Sequence, residues 1–340
     1  MKNSIPTIDD VARLAEVSIS TVSRVINGTV PVSAGVVKRV EAAMRELQYV
    51  PRAAARNLAS RRTHMLGLLL SEIRGDFFGP LLMGIEAVAH AEGYDLLIST
   101  AGRRGPHDEL PGSLGRHNTD GLLVFAGALN EKGLAKASAL PMVLIHESPP
   151  PGLSIPCVTI ENKNAARAIV AHLITVHDRR RIALLQGPAD NEDAYWREMG
   201  YREALELYDL PLDPALIAPG NFDREAAQAS VAQLLADGTD FDAIFTSDDE
   251  AAVGALQALQ KVGRRVPDDV AVVGFDDQRL AAVLNPPLTT VYAPTEEVGR
   301  VAARELFCLL HTGKAEPLTL LPTELVIRRS CGCGAGDSEQ

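Results

Sequence analysis

The feature that most constrains the fold is an alternation of short apolar runs with amphipathic stretches, which begins at Met65 and fills most of the chain. Runs such as GLLVFAG and RIALLQG have the length of strands, and stretches such as KNAARAIVAHLITVH carry apolar residues at helical spacing. Strands that alternate with helices build parallel sheets with helices on both faces. The sequence therefore predicts an α/β body.

The strand–helix repeats divide near Glu161-Asn162, which predicts two similar lobes. Ligands of such sheets bind beyond the carboxyl ends of the strands, so we expect a ligand in the cleft between the lobes. No apolar run approaches the roughly 18 residues of a membrane helix. The N-terminal MKNSIPTIDD lacks the apolar stretch of a signal peptide. We therefore expect a cytoplasmic protein that has no membrane partner.

Charge is distributed unevenly along the chain. The formal net charge is -11, but residues 1–64 contain ten Lys or Arg and five acids, a net of +5 that leaves -16 for the remainder. A small basic head on a large acidic body is the asymmetry expected when one part of a protein meets nucleic acid.

The N-terminal segment has the pattern of a helix-turn-helix. Thr7 and Asp10 have the spacing of a capping box, with Asp in place of the usual Glu, so a first helix begins just after Thr7. Ser18 is positioned to cap a second helix that ends at Asn27-Gly28, and Ser33 to cap a third. Two short helices joined by a few residues are typical of helix-turn-helix domains.

A basic, Ala-rich stretch, RAAARNLASRR, follows Pro51. Pro is tolerated at the start of a helix, but a lone helix of about ten residues is marginal in water. We expect this segment to become helical only against a partner chain and DNA.

These stretches carry a resemblance to a known family. TIDDVARLAEVSISTVSRVINGTVPVS, then YVPRAAARNLA, then a strand at LGLLL and the two-lobed body, occur in the order found in the lactose-repressor/galactose-repressor (LacI/GalR) family of bacterial transcription regulators, which the whole chain resembles. The chain departs from the family at Glu16, where Gly is usual and where we expect a strained or reshaped turn. It also departs at 102–118, where the family has a regular helix.

The resemblance implies a small all-α helix-turn-helix domain joined by a hinge helix to a two-lobed α/β core like that of periplasmic binding proteins. The implied domains are a DNA-binding domain at 1–48, a hinge helix and linker at 49–62, and an effector-binding and dimerisation core at 63–340. Within the core, the implied parts are an N-lobe at about 63–161 plus 292–322, a C-lobe at about 162–291 plus 323–332, and a tail at 333–340.

For DNA, the resemblance implies that the second helix reads bases through Ile19, Ser20 and Arg24. The physics agrees, because Arg can bind guanine O6 and N7 in a bidentate manner. The positions expected near phosphates are Thr7, Thr21, Ser23 and Asn27. Leu58 matches a leucine that wedges into the minor groove and bends the duplex, with Ala55 lining the groove. A merely solvated helix face remains the alternative for the two serines.

For the effector, the resemblance implies contacts from Arg197 and Asp276. The other candidates are Phe222, expected to stack on the ligand, Asp248, where relatives often carry Asn, His146, where Asp is usual, and an apolar wall at Phe77 and Phe78. A carboxylate and a guanidinium bind vicinal hydroxyls, and a flat aromatic ring covers the C–H face of a sugar.

Several alternatives stay open for the effector site. A planar purine would also stack on Phe222 and bond to Arg197, so a nucleobase effector is not excluded. In the simplest structural interpretation, Asp276 caps a turn and Arg197 pairs with Glu198 or Glu203 on the surface.

No metal or cofactor is predicted. The pair Cys331 and Cys333 lies near the C-terminus, and His172 and His177 are five residues apart. A tetrahedral zinc site needs four ligands, and the spacing does not suggest a second pair, so two free thiols on a tail are expected. The acids at 248–250 are explained by their position at a helix start.

The sequence thus predicts a ligand-responsive DNA-binding regulator that is not an enzyme. We expect a repressor of carbohydrate-utilisation genes that binds a near-palindromic operator as a homodimer, or as a tetramer of two dimers, with a small sugar as effector. The alternatives are a purine-responsive repressor of the same family and a sugar-handling protein on the same scaffold that does not bind DNA.

Overall fold

The computed structural model describes residues 6–27, 31–49, 62–73, 75–102 and 105–334. Nearly all of the hinge predicted at 49–62, including Ala55 and Leu58, lies outside the described residues, as does most of the predicted tail.

The head contains three short helices, α1 (Ile8–Leu14), α2 (Ile19–Asn27) and α3 (Ala34–Glu46). The capping box is confirmed, because the Thr7 main-chain N–H donates to Asp10 Oδ2 over 2.9 Å and Asp10 N–H donates back to Thr7 Oγ1 over 3.4 Å. Ser18 Oγ accepts the Thr21 N–H over 3.2 Å, as predicted. The cap predicted at Ser33 is wrong, since its side chain makes no capping hydrogen bond.

The three helices enclose a small core centred on Val11, Val22 and Val40, each with no exposed surface. In the turn between α1 and α2, Glu16 has a φ of 51°, in the left-handed region that favours Gly. The turn therefore keeps the backbone of a Gly turn and carries the strain expected from the sequence.

The first lobe is built on six strands. They are β1 (Met65–Leu70), β2 (Asp95–Thr100), β3 (Gly121–Phe125), β4 (Met142–Ile145), β5 (Cys157–Ile160) and β11 (Leu318–Leu321). All neighbours are parallel, in the order β11-β5-β4-β3-β1-β2. The helices of this lobe are α4 (Phe78–Ala91), α5 (Glu131–Ala137) and α10 (Thr295–Thr312).

Residues 105–118, between β2 and β3, do not form the regular helix that the family resemblance implies for this region. This segment contains a single 3-10 turn at Gly112–Leu114, and the Leu114 side chain is fully buried. The His107 main chain bonds to Ala128 O and to Asn130 N–H, which fixes the segment beside the end of β3. A short irregular segment thus covers the sheet with one large apolar side chain.

The second lobe is built on four parallel strands. They are β6 (Ile182–Gln186), β7 (Ile217–Pro219), β8 (Ala243–Thr246) and β9 (Ala271–Val273), in the order β7-β6-β8-β9. The helices are α6 (Lys163–His177), α7 (Glu192–Leu207), α8 (Arg224–Ala236) and α9 (Asp249–Lys261). The predicted two-lobed α/β core is confirmed.

The chain passes between the lobes after β5, after β10 (Thr290–Tyr292) and after β11. After the last passage it forms β12 (Glu324–Val326), which pairs with β10 in an antiparallel manner. In the described part of the chain, no helix has both the length and the apolar character needed to span a bilayer.

Helices α4 and α10 pack closely because each has a Gly at the crossing. A Cβ atom on Gly84 would lie 2.0 Å from Glu296 O, and one on Gly299 would lie 2.3 Å from Leu81 O. Both helices cover the same face of the first sheet, so this contact sets the spacing of a large part of the core.

We expect Gly84→Ala to destabilise the protein by about 1–3 kcal/mol, because the added methyl group forces two backbones apart. Gly79→Ala on the same helix is the matched control, since a Cβ there meets nothing within 4 Å. The control should be neutral or stabilising by up to about 1 kcal/mol. Thermal and urea unfolding of both variants measures the difference, and equal effects would contradict the close packing.

Candidate functional site

The outer face of α2 presents the residues predicted to read DNA. Ser20 and Arg24 are exposed, and Ile19 is 49% exposed although it is a large apolar residue. The opposite face is held in the head core by Val22. Both donors of Thr7 are engaged by Asp10, so a phosphate contact there would have to replace one of these bonds.

The remaining DNA-reading candidates differ in exposure. Thr21 and Ser23 are half-buried on α2. Asn27 ends the helix, but its side chain lies outside the described residues, as do Ala55 and Leu58.

Arg197 lies on α7 of the second lobe, with only 3% of its surface exposed. Its Nη2 atom is 3.1 Å from Asp276 Oδ1, and its Nε–H donates to Asn162 Oδ1 over 2.8 Å. Its Nη1 donates to Ser247 O over 2.5 Å, and the guanidinium carbon lies 3.8 Å from the centre of the Phe275 ring. The structure therefore brings together Arg197 and Asp276, the two residues expected to contact the effector.

The alternative in which Arg197 forms a surface ion pair is wrong. Glu198 instead contacts Arg202, and Glu203 contacts Lys163 and Arg167. Arg197 instead points into the lobe, where a buried charge needs close partners.

His146 bridges the two lobes. It follows β4 of the first lobe, and its Nδ1 lies 2.8 Å from Asp193 Oδ2 on α7 of the second lobe. Burial by itself would raise the pKa of Asp193, but His146, Arg197 and Asn162 together lower this pKa below its usual 3.8. Asp193 is thus held as a carboxylate between the His146 ring and the Arg197 guanidinium.

A second contact joins the lobes at the same end of α7. Ser148, which follows β4, donates its N–H and its hydroxyl to the Glu192 carboxylate over 2.6 and 2.8 Å. Glu192 and Asp193 are consecutive residues of α7, so the start of this helix is attached to the segment that follows β4.

Aromatic rings line the first-lobe side of the cleft. The rings of Phe77 and Phe78 meet edge to face at 5.3 Å, and both contact Phe125, which lies 5.5 Å from the His146 ring. The predicted wall is therefore larger than the sequence indicated. The Phe222 ring lies on the other lobe, 5.7 Å from the Arg197 guanidinium carbon.

Asp248 caps α9, and its carboxylate accepts the Ala251 N–H over 3.0 Å. Its neighbour Asp249 is fully buried and accepts from Gln278 N–H and Thr290 Oγ1, each over 2.7 Å. The helix-start explanation of these acids is supported for Asp248, and a ligand contact from it stays a prediction.

Three buried polar atoms of His146 and Asp276 in the cleft lack a hydrogen-bond partner among the described residues. His146 Nδ1 lies at ion-pair distance from Asp193. The other two are His146 Nε2 and Asp276 Oδ1, which lies at ion-pair distance from Arg197 but outside hydrogen-bonding geometry. Unsatisfied buried polar atoms are rare because they lose their bonds to water. These two atoms could therefore bond to the hydroxyl groups of a ligand.

Three of the candidate effector-binding residues have strained backbone conformations. The φ angles are 61° at His146, 52° at Phe222 and 100° at Asp276, all in the left-handed region. Such strain is concentrated at binding sites, where the surrounding structure holds it in place.

Three residues of the site, Asn162, Asp193 and Phe125, were not predicted from the sequence. Asp193 could have been found from its position one helical turn before Arg197, and Phe125 from its position at the end of a predicted strand. No local signal indicated Asn162, since its role depends on the packing of α6 against α7.

The two C-terminal cysteines do not lie on an exposed tail, so that prediction is wrong. Cys331 has no exposed surface and Cys333 is 8% exposed. Neither is in a disulfide. One potential ligand atom from each of them and from His172 and His177 lies within 4.8 Å of the others, so these residues could together hold a metal ion.

Comparison with known proteins gives matches along the whole chain. Residues 7–52 match bacterial regulatory proteins of the lacI family, and residues 170–331 match a periplasmic binding protein-like domain. The chain is 36% identical to the HTH-type transcriptional regulator CelR of Thermobifida fusca, over 96% of this chain and 98% of that protein. It is 34% identical to the ribose operon repressor of Escherichia coli strain K12, over 87% and 90%.

A third relative is the HTH-type transcriptional repressor PurR of Aliivibrio salmonicida, at 33% identity over 88% of this chain and 91% of that one. Among solved structures, the lac repressor dimer bound to operator and the anti-inducer ONPF superimposes with a TM-score of 0.81 at 26% identity, and covers 96% of this chain and 99% of that chain. The complex of CelR with cellobiose gives 0.70 at 33% identity, with the same coverage.

The Asp248 carboxyl should make the stability of the protein depend on pH. Burial, and then the negative charge of Asp276, raise the pKa of Asp248 to about 7. The folded chain therefore keeps this proton up to about pH 7, whereas the unfolded chain releases it near the ordinary value of 3.8. Stability consequently falls as pH rises between the two values.

Asn caps helices as well as Asp does but cannot ionise. We expect Asp248→Asn to raise the free energy of unfolding by about 1–3 kcal/mol at pH 8 and to leave it unchanged near pH 4. Asp223→Asn is the control, because Asp223 caps α8 with the same type of bond, to Ala226 N–H. Thermal unfolding across this pH range is the measurement, and a gain that is equal at both ends would disprove the assignment.

Proposed function

The chain belongs to the lacI family of bacterial regulatory proteins, and from this we propose that it represses carbohydrate-utilisation genes in the cytoplasm, with a small uncharged sugar as its effector. It would bind a near-palindromic operator as a homodimer, and sugar in the cleft would change its affinity for DNA. The observation that carries the proposal is the buried Arg197–Asp276 pair, with the unsatisfied His146 Nε2 on the facing lobe.

The charges of the cleft favour a neutral ligand over a phosphorylated one. Arg197 is surrounded by the carboxyl groups of Asp193 and Asp276, at 3.9 and 3.1 Å from its Nη2. A phosphate would meet these acids, and desolvating its charge beside them is unfavourable. Hydroxyl groups can donate to the carboxylates and accept from the guanidinium, which suits a sugar.

The aromatic residues of the cleft support the same ligand class. Phe77 and Phe125 form an apolar wall on one lobe, and Phe222 lies on the other, so a flat sugar ring would have C–H faces covered by aromatic carbon. The relatives point the same way, since one is named as a ribose operon repressor and another has been solved with cellobiose. A purine effector is the second candidate, because the chain is also similar to PurR.

Coupling of ligand to DNA would run through the two bridges between the lobes. His146 contacts Asp193, and Ser148 contacts Glu192, at the edge of the proposed sugar site. A ligand that competes for His146 or Asp193 changes the relative position of the lobes, and the hinge connects the first lobe to the head. Couplings of this kind are typically about 1–3 kcal/mol.

A homodimer is supported by the exposed side of the first lobe. Strand β2 is an edge strand of the six-stranded sheet, and its Ile98 is 40% exposed. The neighbouring helix α4 exposes Met83 at 45%. An edge strand beside exposed apolar residues favours association with a second copy.

The role of Arg24 in reading DNA bases can be tested by substitution. The operator is first identified by selection from random duplexes. We expect Arg24→Ala to weaken binding to it by about 1–3 kcal/mol and to relax base preference at one position in each half-site, because a bidentate contact to guanine is lost. Arg45→Ala is the control on α3, and it should leave base preference unchanged. Unaltered selectivity in the Arg24 variant would contradict the assignment of α2.

Thermal unfolding with candidate ligands tests which class of molecule the cleft binds. The full chain is heated with mono- and disaccharides, including ribose and cellobiose, and with sugar phosphates and nucleobases. A sugar present at 100 times its dissociation constant should add about 2.7 kcal/mol of stability. Asp276→Asn should abolish this shift, because it removes the charge that faces Arg197.

Asp277→Asn is the control, since Asp277 instead contacts Arg328 over 2.7 Å. It should retain the sugar shift. A shift only with nucleobases would move the effector to the purine class, and a shift that survives Asp276→Asn would remove the effector from this cleft. The sugar should be recovered unchanged after incubation, whereas its conversion would indicate an enzyme.

A further inference from the structure

A group of four side chains outside the effector cleft has no role in the function proposed above. It consists of His172 and His177 on α6 and of Cys331 and Cys333 near the end of the described chain, and we call it the C-terminal cluster. One nitrogen or sulfur from each residue lies within 4.8 Å of the others. The sequence separates the two pairs by more than 150 residues, with 156 between His177 and Cys333.

Three of the four atoms are spaced like the ligands of one tetrahedral metal ion. The Nε2 atoms of His172 and His177 are 3.3 Å apart, and Cys333 Sγ lies 3.6 Å from the first and 3.3 Å from the second. Zinc bonds of about 2.0–2.1 Å to nitrogen and about 2.3 Å to sulfur, at tetrahedral angles, separate two nitrogens by about 3.3 Å and a nitrogen from a sulfur by about 3.6 Å.

The fold holds the cysteine segment at this position. Ser330 accepts the Val272 N–H on its carbonyl over 3.0 Å, and its hydroxyl donates to Val272 O over 2.6 Å. The hydroxyl of Thr289 donates to Cys331 Sγ over 3.1 Å. Hydrogen bonds to a ligating atom orient it toward a metal.

The residue between the two cysteines must be Gly for the cluster to form. Gly332 has a φ of 118°, in the region that other residues rarely adopt. A Cβ atom there would also lie 2.9 Å from His177 Nδ1. The turn thus brings the second cysteine back onto the histidines and leaves no space for a side chain.

The chemistry of the cluster also suits a soft divalent ion. It offers two imidazoles and two thiols, and it lies where water has little access, since Cys331 is fully buried. Two nitrogen and two sulfur ligands are the set typical of structural zinc.

We propose that His172, His177, Cys331 and Cys333 bind one Zn²⁺ ion in a closed, four-coordinate site that fastens the C-terminal segment to α6. Binding forms two Zn–N and two Zn–S bonds and releases the two thiol protons to solvent, with no change in oxidation state. The Cys331 thiol proton, which points to Arg328 O at 3.5 Å, is one of them. With all four positions filled by protein, the ion has a structural and not a catalytic role.

The expected gain is in stability of the second lobe. The ion would join the first helix of this lobe to its last segment, and closing so long a loop restricts the unfolded chain. The gain would be independent of the effector.

The first test uses the full chain purified without chelators or added metal, with metal content measured by mass spectrometry. We expect about one zinc per chain. After the zinc is removed, Co²⁺ titration should produce the strong visible bands of tetrahedral cobalt and a sulfur-to-metal charge-transfer band, with an end point at one equivalent. Zinc at 100 times its dissociation constant should raise the melting temperature by about 5–10 °C.

Variants then identify the ligands. Cys333→Ser and His172→Gln should each lose the zinc and the tetrahedral cobalt spectrum. Cys308→Ser and His311→Gln are matched controls on α10, where both residues are exposed, and they should keep both signals. Because the wild-type titration needs no variant, the test does not depend on how well the variants fold.

Three results would overturn the proposal. They are wild-type protein that contains no zinc and gives only the weak spectrum of six-coordinate cobalt, a tetrahedral spectrum that survives Cys333→Ser, and a disulfide between Cys331 and Cys333 in freshly purified protein. The sugar titrations described above are separate measurements, so the zinc and effector proposals can fail independently.

Discussion

The cleft depends on the burial of one guanidinium group. A buried charge is tolerated only when its charge and its donors are satisfied. Arg197 meets this requirement with the Asp276 carboxylate, the Asn162 amide and the Ser247 carbonyl, and with the face of the Phe275 ring. These partners come from three separate parts of the second lobe, since Phe275 and Asp276 are adjacent in the chain. The position of Arg197 therefore fixes the ends of several elements at once, and the cleft is formed before any ligand arrives.

The same group connects the second lobe to the first. Asn162, which bonds to Arg197, also donates to Asp193 Oδ1 over 2.8 Å, and Asp193 in turn contacts His146 across the cleft. Asn162 lies where the chain first crosses between the lobes. A ligand that alters the Arg197 contacts can therefore act on the crossing point and on the bridge between the lobes through a single shared amide.

Sequence patterns predicted the parts of this protein that depend on local chemistry. The capping box at Thr7, the cap at Ser18 and the parallel sheets follow from residues that are close in sequence or from strand–helix periodicity. The strained turn at Glu16 was predicted from the family resemblance, since Gly is usual there and adopts a positive φ without cost. The assignment of Arg197 and Asp276 to one ligand site required the family resemblance, since the two residues lie on different elements.

The parts that sequence patterns did not predict depend on long-range packing. The fully buried Leu114 covers a sheet in a segment with no periodicity. The cysteines were expected on an exposed tail because their histidine neighbours are far away in sequence.

Helix α6 connects the effector cleft to the C-terminal cluster. Its N-terminal end follows Asn162 of the cleft, and its last residue is His177 of the C-terminal cluster. At 1.5 Å per residue its 15 residues separate the two ends by about 22 Å. A zinc ion at the far end would thus hold the helix that supports the cleft without contacting the ligand, so it would stabilise the second lobe in both its ligand-free and its ligand-bound states.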